Sequence, residues 1–168
     1  MKNTTHTRIL FIVQAGVIAA LYVALTHLSN LMGLASGVIQ VRISEAFCIL
    51  TFFTPAAIPG MTIGCFLANL TTGCLWADIL LGSLASFLGA LCGWLLRKIS
   101  VWLVPIPTIL ANAIIVPFVL KYAYGVEDAW WFMVITVGAG EIIAAYILGM
   151  ILYFALRKAG DRVFRLEK

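Results

Sequence analysis

Charge is what this chain has least of. Lys, Arg, Asp and Glu together make up 11% of its 168 residues, while 63% are hydrophobic. Soluble domains carry about a quarter charged residues, so a water-exposed globule is excluded and an integral membrane protein is indicated. Histidine is rarer still: His6 lies before the first apolar run and His27 near its end, neither with a partner worth naming. Cys48, Cys65, Cys74 and Cys92 form no C-x-x-C pair and no metal-ligand spacing. They read as small packing residues, so neither a disulfide framework nor a metal site is expected.

Catalytic motifs are also missing. There is no H-E-x-x-H, no G-x-S-x-G, no Walker A loop and no carboxylate cluster flanked by a nucleophile. A transporter or a binding subunit therefore outranks an enzyme. Secondary transporters commonly show repeated halves, and no internal repeat is visible here, so a transport role implies help from other subunits. The first apolar run exceeds a signal-peptide core of about 7–15 residues and no clear cleavage site follows it. It reads as a retained helix.

What the sequence does have is apolar length. At roughly 20 apolar residues per crossing there is room for about six helices and little else. The expected architecture is an all-α bundle of six transmembrane helices, near residues 9–28, 41–53, 61–75, 78–97, 101–121 and 130–156, in one domain over residues 1–168. Pro55 and Pro59 bracket a turn expected to close the second helix, and Pro117 is a candidate kink in the fifth. The net charge of +4 is a topology signal rather than a nucleic-acid signal. Lys2, Arg8, Arg97, Lys98, Arg157, Lys158, Arg162, Arg165 and Lys168 fall on one side of a six-span bundle, which places both termini in the cytoplasm. Trp76, Trp130 and Trp131 then mark the outer interface, and Trp94 and Trp102 the inner one.

The stretch Val41–Gly60, VRISEAFCILTFFTPAAIPG, puts Arg42 and Glu45 at the mouth of an apolar segment. With Asn69, Asp78, Asn112 and Glu141 they could line one outward-facing cavity. An ionisable group at mid-bilayer costs about 2.5–3.5 kcal/mol on insertion scales, so such groups need a use or a partner. Arg42 and Glu45, three residues apart, could pair with each other. Asp78 suits a cap at a helix start, and the asparagines suit interhelical hydrogen bonds. Glu141 has no basic residue within a turn, so the structural explanation is weakest there. The uncharged linker from Leu28 to Gln40 fits either a lid over the outer mouth or a surface connector. On the first helix Ala15, Ala19 and Ala24, with Ala20 and Gly16 beside them, make a small-residue face. It could serve a neighbouring helix or a separate membrane protein.

VRISEAFCIL, FFTPAAIPG, GCFLANL, DILLGSLAS and the late GAGE together resemble the QueT family of queuosine-precursor transporters, from the second helix to Glu141. Thr51 departs from the family pattern, in which a proline precedes the paired phenylalanines. The resemblance implies a substrate-binding (S) component of an energy-coupling factor (ECF) transporter. It would capture a deazapurine, above all 7-aminomethyl-7-deazaguanine, at the outer face of a bacterial plasma membrane. It would work with an EcfT-type coupling protein and two ATPase subunits, which use the ATP; no cofactor is expected in this chain. The resemblance also favours the docking role for Ala15, Ala19 and Ala24. In the implied pocket Glu45 and Glu141 act as acids, Arg42, Asn69 and Asn112 as donors, with Asp78 nearby, and Phe47, Trp130 or Trp131 could stack on the ring. Rival readings are an S component for thiamine or riboflavin, and a small structural or channel protein without a ligand.

Overall fold

The computed structural model describes residues 4–34 and 39–158. All regular structure among them is helical. The elements are α1 (Thr4–Leu31), a 3₁₀ helix (Ile43–Phe52), α2 (Ala57–Thr71), α3 (Trp76–Leu96), a 3₁₀ turn (Val101–Leu103), α4 (Ile106–Tyr122) and α5 (Trp130–Glu141). A π-helical stretch (Ile142–Leu148) then joins α5 to α6 (Gly149–Leu156). Among the described residues four helical stretches are long and apolar enough to cross a membrane: His6–Leu31, Trp76–Leu96, Val101–Tyr122 and Trp130–Leu156. Ile43–Phe52 and Ala57–Thr71 are shorter. The chain is an all-α membrane protein.

Helix α1 shows how sequence sets position. Gln14, Ala15, Ile18, Ala19, Tyr22, Thr26 and Ser29 are buried, a spacing of three and four residues that draws one stripe along a helix. Ile12, Val13, Val17 and Leu21, between them, stay at least half exposed, as lipid-facing residues do. The helix ends at Leu31, and Gly33 turns the chain with a φ of 70°, a conformation that favours glycine. Helix α2 lies against the buried stripe because Gly60 and Gly64 carry no side chain. A Cβ on Gly64 would stand 2.8 Å from the Tyr22 Cβ, and one on Gly60 would stand 3.0 Å from the Ala15 carbonyl oxygen.

The expected second helix is a 3₁₀ helix of 10 residues rather than an α-helix. At a rise of about 2.0 Å per residue, against 1.5 Å for an α-helix, it reaches roughly 20 Å instead of 15 Å. A short segment thereby covers more of the bundle's depth. Seven of its residues are buried, Glu45 among them; it packs on α1, α2, α3, α6 and the π-helical stretch. Cys48 and Leu50 join Ile18, Tyr22, Met61 and Ala145 in the main core, and Ile49 packs with Val104 and Met150 in a second.

A further boundary differs from expectation. Helix α2 begins at Ala57 rather than Met61, with Pro59 in its first turn. The first-turn amides have no intrahelical acceptor, so a proline costs no hydrogen bond there. Pro107 sits in the first turn of α4 for the same reason, and α4 continues through the buried Pro117. The linker from Leu28 to Gln40, expected as a lid or a surface connector, lies partly outside the described residues, as do Lys2 and the basic residues Arg162, Arg165 and Lys168.

Candidate functional site

Arg42, Glu45, Asn112 and Glu141 line one cavity, together with Gln40, Cys65, Gly82, Ser86, Val116 and Val137. It lies where the residues leading into the Ile43–Phe52 helix meet α2, α3, α4 and α5. Space for the centres of water molecules amounts to about 20 Å³, enough for one or two waters.

Glu45 is 2% exposed. Its Oε1 accepts a hydrogen bond from the Tyr22 hydroxyl, which reaches across from α1. Its Oε2 is buried without a hydrogen-bond partner. Glu141, the last residue of α5, is 7% exposed, and its Oε2 is also buried and unpartnered. The Asn112 carboxamide faces both carboxylates. Leaving one buried acceptor unmade costs about 1–3 kcal/mol, more for a charged group, so this is a site with unspent hydrogen-bonding capacity. The backbone changes from α to π immediately after Glu141, a local irregularity often found at functional positions.

Asn69 and Asp78 stand behind the wall rather than in it. Arg42 Nη1 donates to Asn69 Oδ1 at 3.4 Å. Asn69 Nδ2 in turn donates to the Asp78 carbonyl at 3.4 Å and lies 3.7 Å from Cys65 Sγ. Gly82 makes room for that carboxamide: a Cβ there would come within 2.9 Å of Asn69 Nδ2. Asp78 lies in the first turn of α3, but the N-cap residue is Leu75, without a side-chain cap. The Asp78 carboxylate instead accepts from the Tyr124 hydroxyl at 3.1 Å, and the same hydroxyl oxygen accepts from the Leu75 amide at 3.1 Å. Partial burial pushes the Tyr124 phenol up to about 12, so it remains a donor at neutral pH. These two polar residues brace Arg42 and the α2–α3 turn.

The expected ring-stacking aromatics are elsewhere. Phe47 packs against the main core, Trp130 lines a groove with Leu81 and Phe118, and Trp131 is 66% exposed. Tyr22, Gln40, Cys65 and Ser86 escaped the sequence reading. Tyr22 carried a usable signal, because it continues the Ile18–Thr26 stripe and is the polar aromatic in it.

Two of the three residues expected on a docking face are covered. Ala15 and Ala19 are buried against α2 by the chain's own Gly60 and Gly64. Close-packing small residues of α1 are thus used within the chain. Ala24 is exposed, as are Gly16 and Ala20 on the same side, and a Cβ on Gly16 would meet nothing within 4 Å. Among the described residues no group of three or more His, Cys, Asp or Glu could hold a metal ion.

Comparison with known proteins gives two findings. Residues 12–158 match the family described as QueT transporter. The chain is also 36% identical over 85 residues to the queuosine precursor transporter QueT of Lactococcus lactis subsp. cremoris (strain MG1363). That similarity covers 51% of this chain and 50% of the relative, so it spans about half the length of each. No solved structure matches.

Proposed function

The chain belongs to the QueT transporter family, and from that premise we propose that it captures a queuosine precursor for uptake. The ligand is a deazapurine such as 7-aminomethyl-7-deazaguanine. The observation that carries the proposal is the pair of buried, half-unpartnered carboxylates, Glu45 and Glu141, facing one cavity with Asn112 and Arg42. A guanine-like edge presents adjacent N–H donors, which a carboxylate accepts as a bidentate pair, and its carbonyl takes a donor from Asn or Arg. The aminomethyl group is a cation near neutral pH and is matched by the other acid. A cavity of about 20 Å³ must widen to admit such a ligand. The ligand enters as the Gln40 segment and α5 separate.

The chain crosses the plasma membrane of a bacterium six times with both termini in the cytoplasm, which puts Arg8, Arg97, Lys98, Arg157 and Lys158 inside. It acts as the S component of an ECF transporter. An EcfT-type coupling protein docks on the exposed Gly16, Ala20 and Ala24, where small residues let a helix approach closely, and two ATPase subunits supply the energy. The role of this chain is binding and release, not catalysis.

Calorimetry on the purified, detergent-solubilised chain tests the substrate. The panel is 7-aminomethyl-7-deazaguanine, its nitrile analogue, queuine, guanine, thiamine and riboflavin. Tight binding of one deazapurine, with guanine much weaker, is the expected result. Tight thiamine or riboflavin binding would keep the architecture and sink the substrate. Silence across the panel from folded protein would leave a structural membrane protein as the better reading.

A further inference from the structure

A second cavity adjoins the first. It is lined by Gln40, Leu120, Val126, Asp128, Phe132, Met133, Thr136 and Val137, and about 160 Å³ of it is open to water centres. Gln40 and Val137 belong to both cavities. The two are therefore neighbours that share part of one wall.

The wall is built on one face of α5. Phe132, Thr136 and Gly140 follow one another at four-residue spacing, and so do Met133, Val137 and Glu141; residues four apart lie on one side of a helix. The same helix face thus runs from the second cavity, past Val137, to the Glu141 carboxyl, a distance of roughly 14 Å along the axis. Gln40 crosses that face at Gly140, where its carbonyl oxygen occupies the space a Cβ would need. The lining chemistry repeats that of the inner cavity in a weaker form. Phe132 offers a ring face, Met133 a polarizable thioether, Gln40 an amide donor and acceptor, and Asp128 a carboxylate at the rim.

We propose that the second cavity is a loading site, in which a planar, cationic, N–H-rich heteroaromatic rests between Phe132, Met133 and Asp128 before passing Val137 into the cavity of Glu45 and Glu141. This rests on the capture role proposed above. Inner-site contacts set the final affinity, and loading-site contacts set the concentration at which entry saturates.

Stopped-flow tryptophan fluorescence of the full chain with 7-aminomethyl-7-deazaguanine separates the two. In the wild type the observed rate should rise with ligand and then level off. Asp128→Asn and Phe132→Leu should raise the concentration of half-saturation by about tenfold, while the final Kd stays within about twofold. Glu141→Gln should do the reverse. A wild-type rate that stays linear in ligand, or half-saturation unchanged in both variants, overturns the loading site alone. A rise in Kd that matches the rise in half-saturation places Asp128 and Phe132 in the final site and also overturns it. Absence of binding by folded wild-type protein overturns the capture role and the loading site together.

Discussion

Tyr22 of α1 donates its hydroxyl to Glu45 Oε1, tying the longest helix to the 3₁₀ helix at the centre of the bundle. Tyr22 is 1% exposed and Glu45 2%, so the bond is shielded from bulk water. Tyr22→Phe should remove the donor from Glu45 Oε1 and destabilise the chain by about 1–3 kcal/mol. Thermal unfolding of the ligand-free protein checks this. An unshifted midpoint would show that the bond does not hold the carboxylate.

Glu141 separates stability from binding. Its buried Oε2 has no partner, so Glu141→Gln removes a poorly compensated acid and should leave thermal stability unchanged or raised. The same variant should weaken deazapurine binding by about 1.5–3 kcal/mol, the range for a hydrogen bond to a charged group. Calorimetry and thermal unfolding on one preparation check both halves. Lost stability with intact affinity would make Glu141 a structural residue.

The contact face of α1 gives a contrast between adjacent residues. Ala19 is 6% exposed and packed on α2, whereas Ala20 is exposed. Ala19→Leu should overpack the α1–α2 seam at Gly64, at a cost of about 1–3 kcal/mol. Ala20→Leu should leave folding and ligand binding intact yet abolish co-purification with the coupling protein. Wild-type yield of the complex from Ala20→Leu would place the docking face elsewhere.

The helices that lie in lipid were the most legible in the sequence. Residues 130–156 were expected as one helix, and the chain forms helix over Trp130–Leu156, because a long apolar run has few alternatives. Arg42, Glu45, Asn112 and Glu141 were legible as polar groups in need of a partner or a use, because they stand out against apolar neighbours, and the chain brings them to one cavity. The 3₁₀ geometry of Ile43–Phe52 was not legible: its residues other than Ser44, Glu45 and Thr51 are apolar, so no polar pattern marks 3.0 rather than 3.6 residues per turn. Nor was the direction of α1. Ala15, Ala19 and Ala20 look alike as letters, and only the placement of Gly60 and Gly64 decides which are covered. Asn69 and Asp78 were candidates for ligand contact, interhelical bond or helix cap alike, because type and depth were visible while orientation, which leaves both out of the cavity lining, was not.

The Tyr124 phenol gives a pH prediction at the turn that joins α2 to α3. It donates to Asp78 and accepts from the Leu75 amide, and partial burial raises it from 10.0 to about 12. The raised value means that the folded chain holds this proton more tightly than the unfolded chain does. The contribution to stability is therefore fully present below pH 10 and is lost as pH rises through about 12. Tyr124→Phe removes the titrating group, so its unfolding midpoint should decline less steeply than the wild type's across that window. The Asp78 carboxylate then loses its donor at every pH, and the variant should start from a lower midpoint at neutral pH. Unfolding scans of both proteins from neutral to alkaline pH check this. Parallel curves with the same slope above pH 10 would show that Tyr124 does not control the alkaline limb.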